Sequence, residues 1–366
     1  MPAGRPATIH LNTEKALRGG EVQNLGLMEW LVANGHRCLL ASPAGSPLAV
    51  RARRAGIEHV DWNPSTELSP SGVLKLLRLI PEGTPAVLHA HTAHALAPAV
   101  LAAMARPRVK VVASRRVSFP FRSLFSKMKY KAADAVVAVC GSIAEQLVAQ
   151  GIPAEKVHLI HSGVDLERFR AMPPREEARR LLGIVDGIPT VGVAGALVSH
   201  KGHGVLFEAA SMLREKLPGL HLLLAGEGEL RGRLETLAAQ MGVSTTFLGY
   251  SSDLPRFYAA LDVLAMPSLS GEGSPGSMKE AAAAGVPVVA SRVGGAGEIL
   301  RDGQEALLVP PGDARALARG IEGLLGDAAK ATRLTAAARA RVEGFSILKM
   351  AEAHGALYEA LISSGP

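Results

Sequence analysis

Short apolar runs alternate with amphipathic helical patterns along most of the chain. ATIHLNT, at residues 7–13, has the composition of a strand, and EVQNLGLMEWLVANG has the spacing of an amphipathic helix that ends at Gly35. HRCLLAS, AVLHAHT and VKVVAS are further strand-like runs in the same alternation. Alternating strands and helices form βαβ units, because a parallel connection has to cross back over the sheet. The first half is therefore predicted to be a parallel sheet covered on both faces.

The same alternation restarts in the second half of the chain. The segment 165–189, DLERFRAMPPREEARRLLGIVDGIP, has the composition of a connector, and the buried strand TVGVAGAL follows it. A final helical pattern runs from about Ile347 to Ile362. We therefore predict two doubly wound α/β domains with a boundary near residues 175–188. A ligand is expected in the cleft between the two sheets, at the carboxyl ends of their strands.

The composition excludes several classes of protein. Of the 366 residues, 48% are hydrophobic and 20% are charged, which is typical of a globular chain and not of a disordered one. No apolar run reaches the roughly 18 residues of a membrane span, and the N-terminus has no apolar signal-peptide core. Cys38 and Cys140 lie in apolar strand-like runs and are expected to be reduced core thiols. These features favour a cytoplasmic protein.

The net charge of +7 is concentrated in the first half of the chain. Residues 1–180 contain 24 basic and 14 acidic side chains, and nine of the basic ones lie between Arg106 and Asp134 with no acid among them. Phe119, Phe121 and Tyr130 are interleaved with them. This mixture suits an anionic membrane surface or a phosphorylated acceptor. The basic residues assigned to this surface are Arg115, Arg116, Arg122, Lys127, Lys129 and Lys131.

Two other interpretations of this basic stretch remain open at the level of sequence. It could be a solvated helix face whose phenylalanines lie in the core. Nucleic acid is the second alternative, but no recognised nucleic-acid module accompanies the stretch, and no nucleic-acid partner is predicted.

The segment GEGSPGSMKEAAAAGVPVVAS, from Gly271 to Ser291, contains the most informative chemistry of the second half. Ser274 is expected to be a helix N-cap and Pro275 the first helical residue. Free backbone N–H groups at the start of such a helix bind an anion; they belong to Gly276, Ser277 and Met278.

Two glutamates flank this helix start. Glu272 lies in the preceding loop and Glu280 about one turn inside the helix. A carboxylate beside an anion site is unfavourable unless it accepts hydrogen bonds from a neutral polyhydroxylated group. The segment therefore indicates a diphosphate flanked by two hydroxyl-rich groups, which is a nucleotide sugar. The alternative is a pair of solvated glutamates around an ordinary helix start.

Three weaker signals point to the same kind of ligand. Lys201 follows a strand that ends at Gly195 and precedes a helix, where a cation favours a phosphate. Gly226 follows a buried strand, but the full dinucleotide fingerprint is absent. In the first half, Gly19 and Gly20 come directly before a helix and form a second candidate phosphate-facing turn.

Histidines mark the end of one strand of the first half. His89, His91 and His94 in VLHAHTAHAL do not have the helical His-x3-His spacing of a zinc site, so no metal site is predicted. His91, near the strand end, is the candidate for contact with a substrate.

Taken together, these motifs resemble the retaining glycosyltransferases of glycosyltransferase family 4, which have the GT-B fold. The resemblance covers nearly the whole chain. It rests on EGSPGSMKE with AAAAGVPVVASRVGGAGEIL, and on RGGE, HAH, HSGVDLERF, GALVSHKG, AGEGELRGRLE, FLGY and VLAMPS in this order.

The resemblance implies an architecture and a division of labour. It implies an acceptor-binding domain over residues 1–180, a nucleotide-sugar-binding domain over 181–345, and a helix over 346–366 that crosses back to the first domain. It implies sugar transfer from a nucleotide diphosphate sugar to a cell-envelope glycan or a lipid-linked acceptor. No cofactor or metal is expected. A peripheral position on the inner face of the cytoplasmic membrane is the expected location.

The resemblance also assigns roles to residues. Glu272 would contact the donor sugar, Lys201 its diphosphate, and His91 the reacting centre; these three form the expected catalytic set. Glu280 would hold the ribose hydroxyls. The remaining expected donor-binding residues are Gly19, Gly20, Gly195, Gly226, Gly249, Tyr250, Gly273, Ser274, Pro275, Gly276, Ser277 and Met278.

One position departs from the family pattern. An arginine usually follows the glycine that ends the first strand of the second domain, and this chain has Ala196 there. A bidentate phosphate contact would be lost, unless His200 or Arg18 replaces it. Ala196 therefore leaves a non-catalytic nucleotide-sugar-binding homologue open. A nucleotide-sugar epimerase is a separate alternative, but the acidic and histidine acid–base set of that family is not found.

Overall fold

A computed structural model of the chain describes residues 6–80, 83–121, 123–251 and 253–363. Its contacts divide the chain into two compact units. The first is Met1–Gly163 with Ile347–Pro366, and the second is Val164–Ser346. Within the described residues, none of the helices combines the length and the apolar composition that a bilayer crossing requires.

The first unit is built on a seven-stranded parallel sheet. Its order is β3-β2-β1-β4-β5-β6-β7, so the chain direction across the sheet reverses between β1 and β4. The loops that follow these two strands therefore diverge and leave a crevice between them, which is where doubly wound sheets bind ligands. The strands are β1 (Ala7–Leu11), β2 (Cys38–Ser42), β3 (Glu58–Asp61), β4 (Ala86–Ala90), β5 (Val109–Arg115), β6 (Ala135–Ala138) and β7 (Val157–Leu159).

Helices cover both faces of this sheet, because successive strand residues point to opposite sides. Leu88 belongs to one buried cluster with Ile143, whereas its neighbour Val87 packs on the other face with Leu27 and Tyr358. The helices are α1 (Gly19–Ala33), α2 (Pro47–Arg54), α3 (Pro70–Leu79), α4 (Ala93–Met104), α5 (Leu124–Ala132), α6 (Gly141–Ala149) and a C-terminal helix (Ile347–Ser363).

The C-terminal helix packs tightly on α1 within the first unit. A Cβ on Gly355 would lie only 3.0 Å from the ring of Trp30, so the Trp30 side chain packs directly against the backbone of the C-terminal helix. This packing places the following turn of the helix, with Tyr358, against the sheet.

The second unit repeats the doubly wound plan with six parallel strands in the order β10-β9-β8-β11-β12-β13. The direction reverses between β8 and β11, so the loops after these strands border the ligand-binding edge. The strands are β8 (Thr190–Ala194), β9 (His221–Ala225), β10 (Ser244–Gly249), β11 (Val263–Met266), β12 (Val288–Ser291) and β13 (Leu307–Val309).

Two clusters cover the faces of the second sheet as well, with Leu222 in one and Leu223 in the other. The prediction of two doubly wound α/β units is confirmed. The helices of this unit are α7 (Glu167–Arg170), α8 (Arg175–Leu181), α9 (His203–Leu213), α10 (Arg231–Gln240), α11 (Leu254–Ala259), α12 (Gly276–Ala284), α13 (Ala296–Ile299), α14 (Ala314–Gly326) and α15 (Ala328–Val342).

The boundary between the units corrects the expected division at residues 180 and 181. The second unit begins at Val164, because the segment expected to be a connector packs into that unit. Phe169 lies in its core against Tyr258. Arg179, only 2% exposed, donates to the Asp262 carboxylate at 2.8 Å and to the Ala260 carbonyl at 3.2 Å.

Candidate active site

The glycine-rich segment after β11 leads into α12, whose first backbone N–H groups have no side-chain cap. The helix begins at Gly276, and Pro275 is its N-cap with extended backbone angles. The expectation that Ser274 caps the helix and Pro275 opens it is therefore wrong by one residue. The Ser274 hydroxyl instead accepts a hydrogen bond from Lys279 at 2.9 Å. An uncapped N-terminus of a nine-residue helix suits an anion.

Glu272, in the loop before α12, is paired with Lys201. Its Oε1 accepts hydrogen bonds from Lys201 Nζ and from the hydroxyl of Ser268, both at 2.6 Å. Glu272 is only 6% exposed, so the pair is shielded on the carboxylate side. The sequence predicted Lys201 and Glu272 as separate site residues 71 positions apart, and the fold brings them into contact. Ser268 was missed; its only signal is a polar residue just after the buried strand β11.

Two glycines hold these groups in place. Gly202 lies in the left-handed region at φ 66°, and a Cβ there would be only 2.1 Å from the Pro267 carbonyl oxygen, so the turn containing Lys201 packs directly against the end of β11. A Cβ on Gly294 would lie 1.6 Å from the carbonyl oxygen of Glu272. The backbone N–H of Gly295 donates to that oxygen at 3.1 Å. The loop after β12 therefore fixes Glu272, a contribution not included among the predicted site residues.

Glu280, on the first turns of α12, is held by a buried tyrosine. Its Oε2 accepts a hydrogen bond from the Tyr258 hydroxyl at 2.8 Å, while Oε1 lies 3.9 Å from where a Cβ on Gly276 would be. Burial raises the pKa of Glu280, and the Tyr258 bond partly opposes that shift. The Glu280 carboxylate therefore lies beside the helix N-terminus, as the sequence predicted. Tyr258, on α11, was missed.

The glycines at the ends of the neighbouring strands lie close together. The Gly226 N–H donates to the Gly249 carbonyl at 2.8 Å, and a Cβ on Gly226 would lie 1.8 Å from the Gly195 carbonyl oxygen. Tyr250 follows with 61% of its surface exposed. Gly273 is buried in the loop beside Glu272. The predicted glycines thus border one edge of the second sheet, where a flat group could approach the backbone.

Ala196 occupies an exposed position in the loop between β8 and Lys201. Among the described residues of the second unit, no side chain is shown to take the place of the arginine that the family pattern has there. His200 is partly buried, and its carbonyl accepts from the Leu269 N–H at 2.8 Å. Arg18 belongs to the first unit, at the N-cap of α1.

The corresponding edge of the first unit holds buried histidines. His10 on β1 lies opposite His89 on β4 in the strand register, and His91 follows β4. His10 Nδ1 and His91 Nε2 are 2.9 Å apart and share a hydrogen bond. His89 contacts the Ser114 hydroxyl through Nε2 at 2.8 Å and the Tyr358 hydroxyl through Nδ1 at 2.5 Å.

Burial keeps these imidazoles uncharged. It lowers the pKa of His10 to about 3 and that of His354, on the C-terminal helix, to about 4. The pKa values of His89 and His91 are also lowered well below the ordinary value, mainly by burial and further by neighbouring histidines. The cluster is therefore neutral at physiological pH. His10, Ser114, His354 and Tyr358 were missed by sequence reasoning, which singled out His91.

Three of these histidines also lie close enough to one another to form a candidate metal site. His10, His89 and His91 each offer a ring nitrogen within 4.8 Å of the others. However, both nitrogens of His89 contact hydroxyls, and His10 and His91 bond to each other. The protein's own hydrogen bonds thus use nitrogens that an ion would need.

The predicted Gly19–Gly20 turn is the first turn of α1. Glu21 stabilises this turn, because its carboxylate accepts hydrogen bonds from the Arg18 backbone N–H at 3.0 Å and from Asn12 Nδ2 at 3.2 Å. A Cβ on Gly20 would lie 3.5 Å from the Arg116 side chain, so the guanidinium stem lies over this turn.

Three residues assigned to the basic surface make contacts within the first unit. Arg116 lies over Gly20 and donates to the Ser162 hydroxyl at 3.4 Å. Arg115 donates to the Phe119 carbonyl and lies 5.2 Å from the Phe121 ring centroid. Lys129 is 6% exposed, with its Nζ 2.5 Å from the Glu67 carboxylate. Of these three, only Lys129 is buried and paired with a carboxylate, whereas Arg115 and Arg116 are partly exposed and contact neutral groups. The assignment of these residues to a membrane or acceptor surface stays a prediction.

The rest of that segment exposes apolar groups beside lysines. Lys131 is exposed and Lys127 is partly exposed, while Arg122 lies outside the described residues. We refer to the exposed side chains on and before α5 as the α5 surface; its large apolar members are Val117, Phe119, Leu124, Phe125 and Met128, with exposures of 40–72%. The interpretation in which the phenylalanines all lie in the core holds for Phe121 but not for Phe119 and Phe125.

Two family profiles match the chain, one in each half. The profile described as Glycosyltransferase Family 4 matches residues 17–168, and the one described as Glycosyl transferases group 1 matches residues 174–341. The chain is 34% identical over 274 residues to a D-inositol 3-phosphate glycosyltransferase of Nocardia farcinica, covering 72% of this chain and 59% of the relative.

Another relative and a solved structure extend this comparison. A lipopolysaccharide core biosynthesis glycosyltransferase, LpsE, of Rhizobium meliloti is 40% identical over 148 residues, which is 40% of this chain and 42% of the relative. The chain thus matches about half the length of these curated relatives. Anabaena HepE, solved in complex with UDP-glucose, superposes with a TM-score of 0.84 at 22% identity over 98% of this chain and 100% of that one.

The two profiles together span most of the sequence, and each coincides with one of the two doubly wound units. The superposition on HepE shows the same fold at low sequence identity. The protein belongs to the family 4 glycosyltransferases with the GT-B fold.

Proposed function

We propose that the protein is a retaining glycosyltransferase that moves a sugar from a nucleotide diphosphate sugar to an acceptor hydroxyl. The observation that carries the proposal is the arrangement around α12: an uncapped helix N-terminus, with the Lys201–Glu272 pair and Glu280 beside it. A helix start and a lysine suit a diphosphate, and carboxylates suit sugar and ribose hydroxyls. The second unit then binds the donor and the first unit binds the acceptor.

Each group has a task in the proposed reaction. The N–H groups of α12 and Lys201 stabilise the negative charge that grows on the diphosphate as it leaves. Glu272 accepts hydrogen bonds from the donor sugar. The bond between the anomeric carbon and the phosphate oxygen breaks while the acceptor oxygen bonds to the same face of that carbon. The acceptor proton passes to the departing phosphate oxygen, so configuration is retained without a carboxylate nucleophile.

In this account the charge stabilisation comes from protein groups, and the reaction needs no metal ion. Turnover is therefore expected to be unchanged by EDTA. A loss of activity that Mg²⁺ or Mn²⁺ restores would contradict this part of the proposal.

The first donors to test are uridine diphosphate sugars, because the structurally similar HepE is described in complex with UDP-glucose. For the acceptor, the similarity to LpsE, named for lipopolysaccharide core biosynthesis, supports a cell-envelope glycan or glycolipid. The α5 surface, with its exposed phenylalanines and lysines, supports a peripheral position on an anionic cytoplasmic membrane.

A thermal-shift panel of nucleotides and nucleotide sugars tests the donor proposal, since a ligand that binds the folded state raises the melting temperature. We expect a diphosphate nucleotide to stabilise the protein more than the matching nucleoside. Equal shifts for nucleoside and diphosphate would contradict a diphosphate site. Binding without any transfer or donor hydrolysis would support the non-catalytic homologue instead.

A further inference from the structure

A fully buried lysine lies on α12, the helix whose start the proposed function assigns to the diphosphate. Lys279 is 0% exposed and is the fourth residue of this helix. Helical side chains point back towards the N-terminus of their helix, and the Lys279 ammonium donates to the Ser274 hydroxyl at 2.9 Å. Ser274 is the residue before the N-cap, Pro275. The positive charge of Lys279 is therefore held at the N-terminal end of α12.

This position is unfavourable for a cation by itself. The N-terminal end of a helix carries a partial positive charge, so an ammonium there is repelled, and burial removes the water that would solvate it. Glu280 offsets part of this cost: burial raises the pKa of its carboxyl group, and the Tyr258 hydrogen bond and the charge of Lys279 are among the effects that oppose that rise. Two positive groups thus meet at one point, which an anionic ligand would stabilise.

The chemistry of the Lys279–Ser274 bond determines where the Ser274 proton can go. An ammonium group only donates hydrogen bonds, so the Ser274 oxygen accepts and its own O–H points elsewhere. Among the residues that the structure describes, no acceptor is shown for this proton. Ser274 is partly exposed whereas Lys279 is not, so a ligand can approach the serine but not the ammonium. The Ser274 O–H is therefore a donor beside the uncapped start of α12.

The charge balance of this edge calls for such a group. Lys201 is paired with Glu272 at 2.6 Å, so its charge is already largely balanced. Ala196 stands where the family pattern has an arginine, and it brings no charge. The helix start alone offers about half an elementary charge, which is less than a diphosphate needs. Lys279 adds positive charge from within the same helix.

We propose that Lys279 is a positioning residue whose ammonium orients the Ser274 hydroxyl so that its O–H donates to a phosphate oxygen of the donor. This inference rests on the proposed function, because the phosphate belongs to the nucleotide diphosphate sugar. Lys279 does not touch the ligand, since it is enclosed. Its charge strengthens the hydrogen bond that Ser274 donates, because linked hydrogen bonds polarise one another.

Isothermal titration of a nucleoside diphosphate and of its nucleoside tests this role, with UDP and uridine first and then GDP and ADP with their nucleosides. We expect Lys279→Met and Ser274→Ala each to lower the diphosphate affinity by about tenfold and to leave the nucleoside affinity unchanged. The double variant should lose little more than either single variant, because both changes remove the same contact. Ser274→Thr keeps the hydroxyl and should bind like the wild type.

Melting temperatures without ligand separate this role from a structural one. Removal of a buried charge is not expected to lower the melting temperature of Lys279→Met. The controls are Lys216→Met and Ser211→Ala on the surface of the same unit, which should leave both affinities unchanged. A lower melting temperature of Lys279→Met with an equal loss of affinity for both ligands would make this lysine a structural tether and overturn the inference.

Two further results would overturn the inference while the proposed function stands. One is wild-type diphosphate affinity in Lys279→Met. The other is a pair of independent losses that multiply to about a hundredfold in the double variant with Ser274→Ala. If the wild type binds none of the three diphosphates, the proposed function fails and this inference fails with it.

Discussion

The two units present opposite kinds of chemistry at equivalent edges of similar sheets. In the second unit, the groups around α12 are charged and paired, with Lys201 against Glu272 at 2.6 Å. In the first unit, the polar groups are imidazoles kept neutral by burial, linked to each other and to hydroxyls. The same fold therefore offers one edge that suits a diphosphate and one that offers neutral hydrogen-bonding groups. This difference supports different roles for the two units in the proposed transfer.

The largest expected effect comes from removing the charge of Glu272. Glu272→Gln takes away the carboxylate that Lys201 and Ser268 hold, and turnover of the donor is expected to fall by about 10²- to 10³-fold. The matched control is Glu322→Gln, which removes a carboxylate paired with Lys216 at 2.8 Å on the exposed surface of the same unit. Initial rates at saturating donor make the comparison. Equal rates in the two variants would show that Glu272 does not contribute to the active site.

Replacement of Lys201 tests whether the charged edge binds the diphosphate. Lys201→Met should lower the affinity for a nucleoside diphosphate by roughly 10- to 100-fold, because a hydrogen bond to a charged group contributes about 1.5–3 kcal/mol. The same variant should bind the nucleoside alone almost unchanged. Isothermal titration of both ligands measures this, with Lys216→Met as the surface control. An equal loss of affinity for the nucleoside and for the diphosphate would indicate a general disturbance of the unit.

The α5 surface offers a further way to distinguish the units. Lys127→Glu with Lys131→Glu should weaken binding to vesicles rich in anionic lipid by at least about 30-fold, since each lysine near such a surface contributes about 1 kcal/mol. Arg53→Glu with Arg54→Glu, on α2 of the same unit, is the control with an identical change in net charge. Sedimentation at low and at physiological salt measures binding. Equal losses of vesicle binding in the two double variants would show that net charge, and not the α5 surface, determines the binding.

The smallest expected effect concerns acid stability of the neutral edge. His354 has a folded pKa of about 4 and an ordinary value of 6.5, so between these values the unfolded chain binds a proton that the folded chain does not. Its contribution to stability is complete above pH 6.5 and is lost as the pH falls towards 4. His354→Gln should reduce the loss of unfolding free energy between pH 6 and pH 5 by about 1 kcal/mol.

Urea unfolding at the two pH values measures this difference. The control is His94→Gln, since the His94 side chain is 73% exposed, although its Nε2 lies 3.8 Å from the Glu67 carboxylate. An unchanged pH dependence in His354→Gln would show that this histidine is not held neutral by its burial.

Sequence reasoning predicted most of the fold and the charged edge, because both depend on local patterns. Buried strands read as apolar runs, and the segment from Glu272 to Glu280 carries its helix start and both carboxylates within nine positions. The third strand, Glu58–Asp61, was not among the predicted runs, because three of its four residues are polar and half of them are exposed.

The neutral edge could not be predicted in the same way. Its contacts join residues far apart in the chain, such as His89 and Tyr358, which are separated by 269 positions. An arginine such as Arg179 is expected on the surface as long as its buried partners are unknown. The segment that contains it was therefore predicted to be a connector, and the domain boundary was placed too far along the chain. Likewise, Lys129 was predicted to be a surface charge, although it is buried and paired with Glu67.

The most direct test of the account is donor turnover by the purified protein, with the anomeric form of the first sugar product followed by NMR. We predict that the wild type releases nucleoside diphosphate from at least one nucleotide sugar and that the new product keeps the donor's anomeric configuration, while Glu272→Gln does neither. Inversion of the anomeric centre, or equal release by wild type and Glu272→Gln, would contradict the central claim.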